Sequence, residues 1–437
     1  MKLAAKKIKQ WMKQAVHDYY LLKHSRTYLI EQGFTKNEVA HHQQFEKRYQ
    51  ELRKKYKRLY FHLICATALG AYAPSLALMK ADVRRDKKGF HVYIPLPLTK
   101  DNDIFIVNKA LLNSFPGYHI VMELTELSFW KYVYGHHKRE VKLNHFMDYH
   151  PGCHEQVYQK EVPYLSLYHK SIIQFDKTQV DQAEMMLKEM GIDDKYVCLF
   201  MRDNAYVSQK TKTIDSLANM RNSSFTTYID SIESIKNESM KIIRMGQLVE
   251  KSIEYTGLVD FASRYYDDFL DLYLFSKCQF YLGDVSGIIA LPQLFHRPLA
   301  LCNCLNTSVS SDVFGPMFDD KDLYLPQLLY HRKEQRYLTL KEQLQFEEDF
   351  GVTANKENGY EQRGLIPIQN TAKDILGLTT EMIGRIEGKY IYTTEEEALQ
   401  SKYHDILMSF VINNGFSYIR GRIGSKFLQE NQWYLEA

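Results

Sequence analysis

The stretch Asp267–Asn303, DDFLDLYLFSKCQFYLGDVSGIIALPQLFHRPLALCN, decides the fold. Asp267–Ser276 reads as a helix, Cys278–Gly283 (CQFYLG) as a short buried strand, Gly287–Phe295 as a second helix and Pro298–Asn303 (PLALCN) as a second strand. Working outward, Lys177–Gly191 is an amphipathic helix ending at a capping glycine. Lys195–Met201 (KYVCLFM) is a buried strand, Ser223–Asn237 returns to helical spacing, and Met240–Met245 (MKIIRM) is strand-like. Strands alternating with helices at this spacing specify a parallel sheet with crossovers, hence a Rossmann-like unit in the second half of an α/β chain.

The first half is read the same way with less detail. FHLICATA, GFHVYIPL, DIFIV and HIVMEL are short apolar runs rich in branched and aromatic residues, which predict strands of a first α/β unit. Before them the sequence is densely charged and helical in rhythm, ending in EKRYQELRKKYKRLY. The expected division is a charged helical arm over 1–58, an N-terminal α/β domain over 59–170 and a Rossmann-like domain with a C-terminal helical tail over 171–437.

Composition narrows the classes. The 437 residues exceed one ordinary core, and 45% hydrophobic with 25% charged residues describe a folded protein. Lys plus Arg total 56 against 53 acids, a net charge of +3, which argues against nucleic acid as partner. Six cysteines without a CxxC fit a reducing cytoplasm. The basic Met1–Val16 segment reads as a solvated helix docked on its own domain or as a peripheral contact with the inner membrane. Tyr60–Met79 lacks Lys, Arg, Asp and Glu over 20 residues, but Gly70, Pro74 and Ser75 make it a strand, turn and helix rather than a span.

Ligands of open parallel sheets bind beyond the carboxyl ends of the strands. There the sequence offers Arg202-Asp203-Asn204-Ala205-Tyr206, Arg244-Met245-Gly246 and Gly283-Asp284-Val285-Ser286-Gly287. A glycine-containing turn opening a helix presents free N–H groups, and arginine a planar fork of donors, so the combination suits a nucleotide diphosphate. Met220-Arg221-Asn222-Ser223 adds a second cluster, with Arg221 folding toward the same phosphate or Ser223 and Asn222 serving only as cap and turn. No GxxxxGK[ST], GxGxxG or GxSxG follows a strand, which disfavours P-loop, dinucleotide and α/β-hydrolase chemistry. The histidines from His136 to His154 match no common zinc spacing, and Asp101-Asn102-Asp103 falls in a turn, so no metal is expected.

These residues also resemble a family. VCLFMRDNAY, MRNSSFTTYIDSIESI, IIRMG, the opening stretch, LPQL (Leu325–Leu328) and QNTAKDI (Gln369–Ile375) look like the bacterial surface-polysaccharide glycosyltransferases, closely over about 175–305. The resemblance implies a GT-B arrangement of two Rossmann-like domains facing across a cleft. It implies a nucleotide-sugar donor as co-substrate, no cofactor, and a glycan or lipid-linked glycan as acceptor. Donor-binding residues would be Arg202, Tyr206, Arg221, Asn222, Arg244, Gly246, Ser286 and Gly287. Asp203 is the candidate base in this half; Asp82, Asp86, Glu123 and Glu126 are candidates in the other. Met201 stands where the family usually has His, and Gly283-Asp284 where a small hydroxyl residue is usual. The implied function is a metal-independent, inverting sugar transfer to a surface polysaccharide, lipopolysaccharide or related glycan. The alternative is a non-catalytic glycan-binding or assembly protein on a degenerate transferase fold.

Overall fold

The computed structural model describes residues 173–209 apart from 194 and 207, then 220–305, 320–350, 359–413 and 421–436. Before residue 173 it describes 51, 54–56, 59–65, 69–70, 73, 90–96, 108–113, 119–121 and 141–143. The segment Met1–Val16, the run DIFIV and the His136–His154 cluster lie outside these, apart from the strand residues 141–143 within the last; so do Asp101–Asp103, Asp82, Asp86, Glu123 and Glu126. Two compact units emerge, Met1–Asn108 with Pro116–Tyr149, and Lys109–Phe115 with His150–Ala437.

In the first unit β1 (Leu59–Cys65), β2 (Phe90–Leu96), β3 (His119–Val121) and β4 (Val141–Leu143) form a sheet in the order β3-β2-β1-β4. Its described pairings are all parallel. Three of the runs singled out in the sequence, FHLICATA, GFHVYIPL and HIVMEL, supply β1, β2 and β3. β1 also occupies the start of the uncharged Tyr60–Met79 stretch, and among the described residues no helix is long and apolar enough to cross a membrane. The short helix α1 (Lys109–Asn113) belongs to the second unit, where the Lys109 backbone N–H donates to Asp268 Oδ2 at 2.8 Å.

The second unit begins with α2 (Lys177–Glu189). A reciprocal capping box starts it: Asp176 Oδ1 accepts the Gln179 N–H at 2.9 Å, and Gln179 Oε1 accepts the Asp176 N–H at 3.1 Å. Gly191, at φ +71°, closes it in the left-handed conformation that glycine adopts without steric cost. Seven strands follow: β5 (Tyr196–Phe200), β6 (Lys241–Arg244), β7 (Leu258–Val259), β8 (Tyr281–Asp284), β9 (Leu299–Cys304), β10 (Leu323–Pro326) and β14 (Arg422–Ile423). Their order is β14-β10-β9-β8-β5-β6-β7, and the described pairings are parallel.

The chain therefore enters the sheet at β5, runs outward through β6 and β7, then crosses back to β8 and runs outward the other way. That is the doubly wound pattern, and it puts the topological switch point between β5 and β8. Gly283 lets those two strands meet. It sits at φ +148°, and a Cβ there would lie 2.0 Å from the Phe200 carbonyl oxygen, well inside contact distance.

Helices cover the sheet. In α4 (Asp268–Lys277) every residue from Leu270 to Ser276 is buried, which explains an apolar stretch with no helical periodicity. Asp267 caps it by accepting the Phe269 and Leu270 N–H groups, both at 2.9 Å. The helix expected over Gly287–Phe295 instead forms a 3-10 turn, Gly287–Ile289, followed by the short α5 (Ala290–Leu294). Likewise Ser223–Asn237 divides into a 3-10 turn, Phe225–Tyr228, and α3 (Ile229–Asn237). Beyond the main sheet, β11 (Leu328–His331), β12 (Arg336–Tyr337) and β13 (Leu365–Ile368) form a small antiparallel sheet. The helical tail comprises α6 (Leu340–Phe350), α7 (Ala372–Ile386), α8 (Thr394–Asn413) and α9 (Ser425–Glu430). α7 packs against α3 and α9. Cys198, Cys278, Cys302 and Cys304 are buried in this core.

Candidate functional site

The carboxyl ends of β5 and β8 carry the residues that matter. From β5 the chain passes through Met201 into Arg202, which is 8% exposed. Its Nη1 donates to Asn222 Oδ1, and its carbonyl accepts the Ser223 N–H at 3.1 Å. Arg221 reaches the other lip, where its Nη2 donates to the Val285 carbonyl at 2.8 Å. Met220–Ser223 thus lies across the switch point, tied to β5 on one side and to the segment after β8 on the other. Two amides hold it from further along the chain: Gln327 Nε2 donates to the Met220 carbonyl at 3.1 Å, and Gln369 Nε2 to the Asn222 carbonyl.

Val285 leads directly into Ser286 and Gly287. Ser286 is extended at φ −153° and makes no side-chain cap bond, and among the described residues its hydroxyl has no partner. The Gly287 and Ile288 N–H groups open the turn, where intrahelical acceptors are lacking. One hydroxyl, two N–H groups and two guanidinium groups therefore stand about the carboxyl ends of β5 and β8, donors of the kinds that suit phosphate oxygens.

Asp284, at the end of β8, is 1% exposed and accepts four hydrogen bonds. Oδ2 takes the Arg202 N–H at 2.8 Å and the Ser223 hydroxyl; Oδ1 takes the Tyr228 hydroxyl at 3.0 Å and Asn303 Nδ2 at 2.7 Å. Burial pushes this carboxyl above its ordinary range, against the opposing pull of the bonds from Asn303, Ser223, Arg202 and Tyr228. The acid at the end of β8 thus points inward to neutral donors. The sequence leaves Ser223 as a cap and Asn222 as a turn residue in one of its two readings. Instead Ser224 Oγ caps the following turn by accepting the Thr226 N–H at 3.4 Å, leaving Ser223 to bond Asp284.

The other expected residues gather on the β6 side. Arg244, 4% exposed, donates to the Lys251 carbonyl at 2.7 Å and to both Asp260 oxygens at 3.3 and 3.4 Å. Asp203 lies 3.9 Å from the Arg244 guanidinium. Its Oδ1 accepts the Ala205 N–H and its Oδ2 the Glu250 N–H, both at 2.9 Å, so it clamps two loops. Tyr206 is half-buried in the helical turn after it. Gly246 is set by its backbone: φ is +143°, while an added Cβ would meet only ordinary contacts at 3.5 Å. The predicted set therefore divides in two, with Arg202, Arg221, Asn222, Ser286 and Gly287 at the switch point and Asp203, Arg244 and Gly246 beside β6.

The sequence names Ser223 and Asp284 beside this site without a bonding role for either, and it does not find Tyr228, Asn303, Gln327, Gln369 and Asn370 as parts of it. The signal available for the last four is their position just after or at the ends of strands, in segments such as LPQL and QNTAKDI.

No protein-family profile matches the chain, and no curated protein does. Among solved structures, the chain is similar to the ADP-heptose lipopolysaccharide heptosyltransferase II of E. coli, at 10% identity and a TM-score of 0.45, over 75% of this chain and 100% of that one. It is also similar to a glycosyl transferase family 9 protein from Veillonella parvula, at 11% identity and a TM-score of 0.36, over 62% and 87%. A third is the wall teichoic acid polymerase TagF, at 11% identity and a TM-score of 0.27, over 92% and 97%.

Proposed function

We propose that the protein is a glycosyltransferase that moves a sugar from a nucleotide-sugar donor to a surface-polysaccharide, lipopolysaccharide or related glycan acceptor. The observation that carries this reading is the coincidence of the switch point with Arg202, Arg221 and the Ser286–Gly287 turn. In the transfer, an acceptor hydroxyl oxygen attacks the anomeric carbon, the bond from that carbon to the phosphate oxygen breaks, and the hydroxyl proton passes to a base. Charge grows on the departing nucleoside diphosphate. The two guanidinium groups and the N–H groups of Gly287 and Ile288 are fixed where that charge develops, so they stabilise it without reorganising. These donors would serve in place of a divalent cation. Arg244, matched by Asp260, supports the loop beyond β6 rather than the phosphate. Asp203 already accepts two N–H groups, but a carboxylate has about four lone-pair sites, which leaves it capacity to take the proton.

The test is calorimetric titration with UDP, GDP and CMP. The wild-type protein is expected to bind one of them, and Arg202→Ala, measured on folded protein, to bind it at least about tenfold more weakly. Equal affinity in the variant would overturn the assignment of Arg202.

A second reading, a non-catalytic glycan-binding protein on the same fold, is favoured by Met201. A thioether 5% exposed stands there in place of an imidazole, and it offers no acid–base chemistry. Absence of binding to all three nucleotides would support it.

A further inference from the structure

The bonds around Asp284 continue into a closed ring. Asp284 accepts Asn303 Nδ2 at 2.7 Å. Asn303, held at φ +55°, exchanges a reciprocal pair with Asn370: its N–H donates to Asn370 Oδ1 at 2.6 Å, and the Asn370 N–H donates to its Oδ1 at 2.8 Å. Asn370 also anchors to the Pro326 carbonyl at 2.9 Å. Its neighbour Gln369 donates to the Asn222 carbonyl, Asn222 accepts from the Arg202 guanidinium, and the Arg202 N–H returns to Asp284 at 2.8 Å. The circuit touches the ends of β5, β8, β9 and β10, and Asn303, Asn370 and Asp284 are all at most 5% exposed.

We propose that this ring acts as one unit that sets the spacing of Arg202 and Arg221 around the Ser286–Gly287 turn, with Asp284 as its positioning residue. The proposal rests on the switch point being the nucleotide-sugar site. Two features carry it. Every link is short and most are buried, so breaking one leaves polar groups without water to replace the partner. The links also join residues that are far apart in sequence, so the ring, together with the bonds from Gln327 and to Val285, holds the Met220–Ser223 segment where local chain stiffness would not.

The ring has a built-in exchange test. In Asp284→Asn the amide cannot accept from all the donors that the carboxylate served. In Asn303→Asp two carboxylates meet at the position of a 2.7 Å hydrogen bond. The double variant, Asp284→Asn with Asn303→Asp, reverses the direction of that bond. The new amide at position 284 donates one N–H to the new carboxylate at position 303 and the other to the Tyr228 hydroxyl, which turns from donor to acceptor, while its oxygen keeps the Arg202 N–H and the Ser223 hydroxyl; the new carboxylate still accepts from the Asn370 N–H. Amide hydrogen exchange of the ligand-free protein is the first readout. Asp284→Asn should speed exchange at Arg202, Ser223, Asn303 and Asn370 together by about tenfold or more, and the double variant should restore protection. A rise confined to Arg202, or a double variant no better than the single, overturns the ring. If Asp284→Asn fails to fold, Asn370→Ala, at a residue whose hydrogen bonds go to Asn303 and Pro326, must speed exchange at Arg202 and Ser223, and no change there overturns it equally. Titration with whichever of UDP, GDP or CMP the wild type binds is the second readout, with about tenfold weaker binding in Asp284→Asn and recovery in the double variant. Unchanged affinity in Asp284→Asn overturns the positioning role. A wild type that binds none of the three removes the functional reading, while the exchange data still decide the ring.

Discussion

Arg202 and Arg244 stand at the carboxyl ends of paired strands, β5 and β6, and one rule about strand ends assigns both to an anion. The molecule treats them differently. Arg244 turns toward β7 and spends its charge on Asp260, a carboxylate that also accepts the Ile253 N–H and the Ser263 hydroxyl, both at 2.7 Å. Arg202 gives its backbone N–H to Asp284 at the end of β8 and its guanidinium to the amide oxygen of Asn222. The difference lies in strand order. β6 has its sequential successor β7 beside it, and the intervening loop folds back over its end. β5 and β8 are neighbours that the chain leaves in opposite directions, which is the switch-point arrangement where open α/β sheets take their ligands.

The sharpest way to break this contrast is to push β5 and β8 apart. In Gly283→Ala the new Cβ would fall 2.0 Å from the Phe200 carbonyl oxygen, so the pairing must open; a loss of stability above about 4 kcal/mol is expected in denaturant titration. A variant of ordinary stability would show that the close approach of the two strands is not needed. Next comes Arg244→Ala, which strands the buried Asp260 carboxylate and should cost about 3 kcal/mol. Its nucleotide affinity, measured on folded protein, should stay within about threefold of wild type, the reverse of Arg202→Ala. A nucleotide defect as deep as that of Arg202→Ala would return Arg244 to the phosphate site.

The smallest effect concerns a buried acid whose hydrogen bonds come from neutral donors, with Arg385 acting on it only through space. Glu381 accepts the Tyr392 hydroxyl at 2.8 Å, the Ser425 N–H at 2.7 Å and the Ser425 hydroxyl at 3.2 Å. Burial raises its carboxyl above the ordinary 4.5. A carboxyl raised in the folded state contributes its stability below the unfolded value, and loses it as pH rises through the folded value. Glu381→Gln keeps the shape and cannot ionise. Its unfolding midpoint should therefore gain on wild type as pH rises from about 4 toward neutrality. A gap that does not change with pH would mean that Glu381 ionises in the fold as freely as in the unfolded chain.

Much of the second unit can be read from the residues because its strands are buried on both faces and its helices are capped by their own sequence. YVCLF and LALCNC admit few other readings. The small sheet of β11, β12 and β13 escapes such a reading because its strands are only two to four residues long, β12 exposes both Arg336 and Tyr337, and β13 contains Pro367. At the site, the arginines and the Ser-Gly turn are legible as residue types at strand ends. Which arginine faces the switch point is not, since that depends on Asp260, sixteen residues further along, reaching one of them. Asp284 reads in the sequence only as an acid where a small hydroxyl residue is usual, because its four partners come from three remote stretches, around Arg202, Ser223 to Tyr228 and Asn303.

The ring at the switch point also has a consequence for how the chain acquires its structure. Its links span separations of 67 residues between Asn303 and Asn370 and of 147 between Asn222 and Gln369. Contacts so remote carry the largest loop-closure entropy and form after the local helices and strand pairs. During synthesis β5, β6, β8 and β9 can associate as soon as they emerge, but the Met220–Ser223 segment gains its last anchor only when Gln369 and Asn370 have been made. Binding competence would then arrive as a late and separate event in the life of each molecule, after the sheet is already in place.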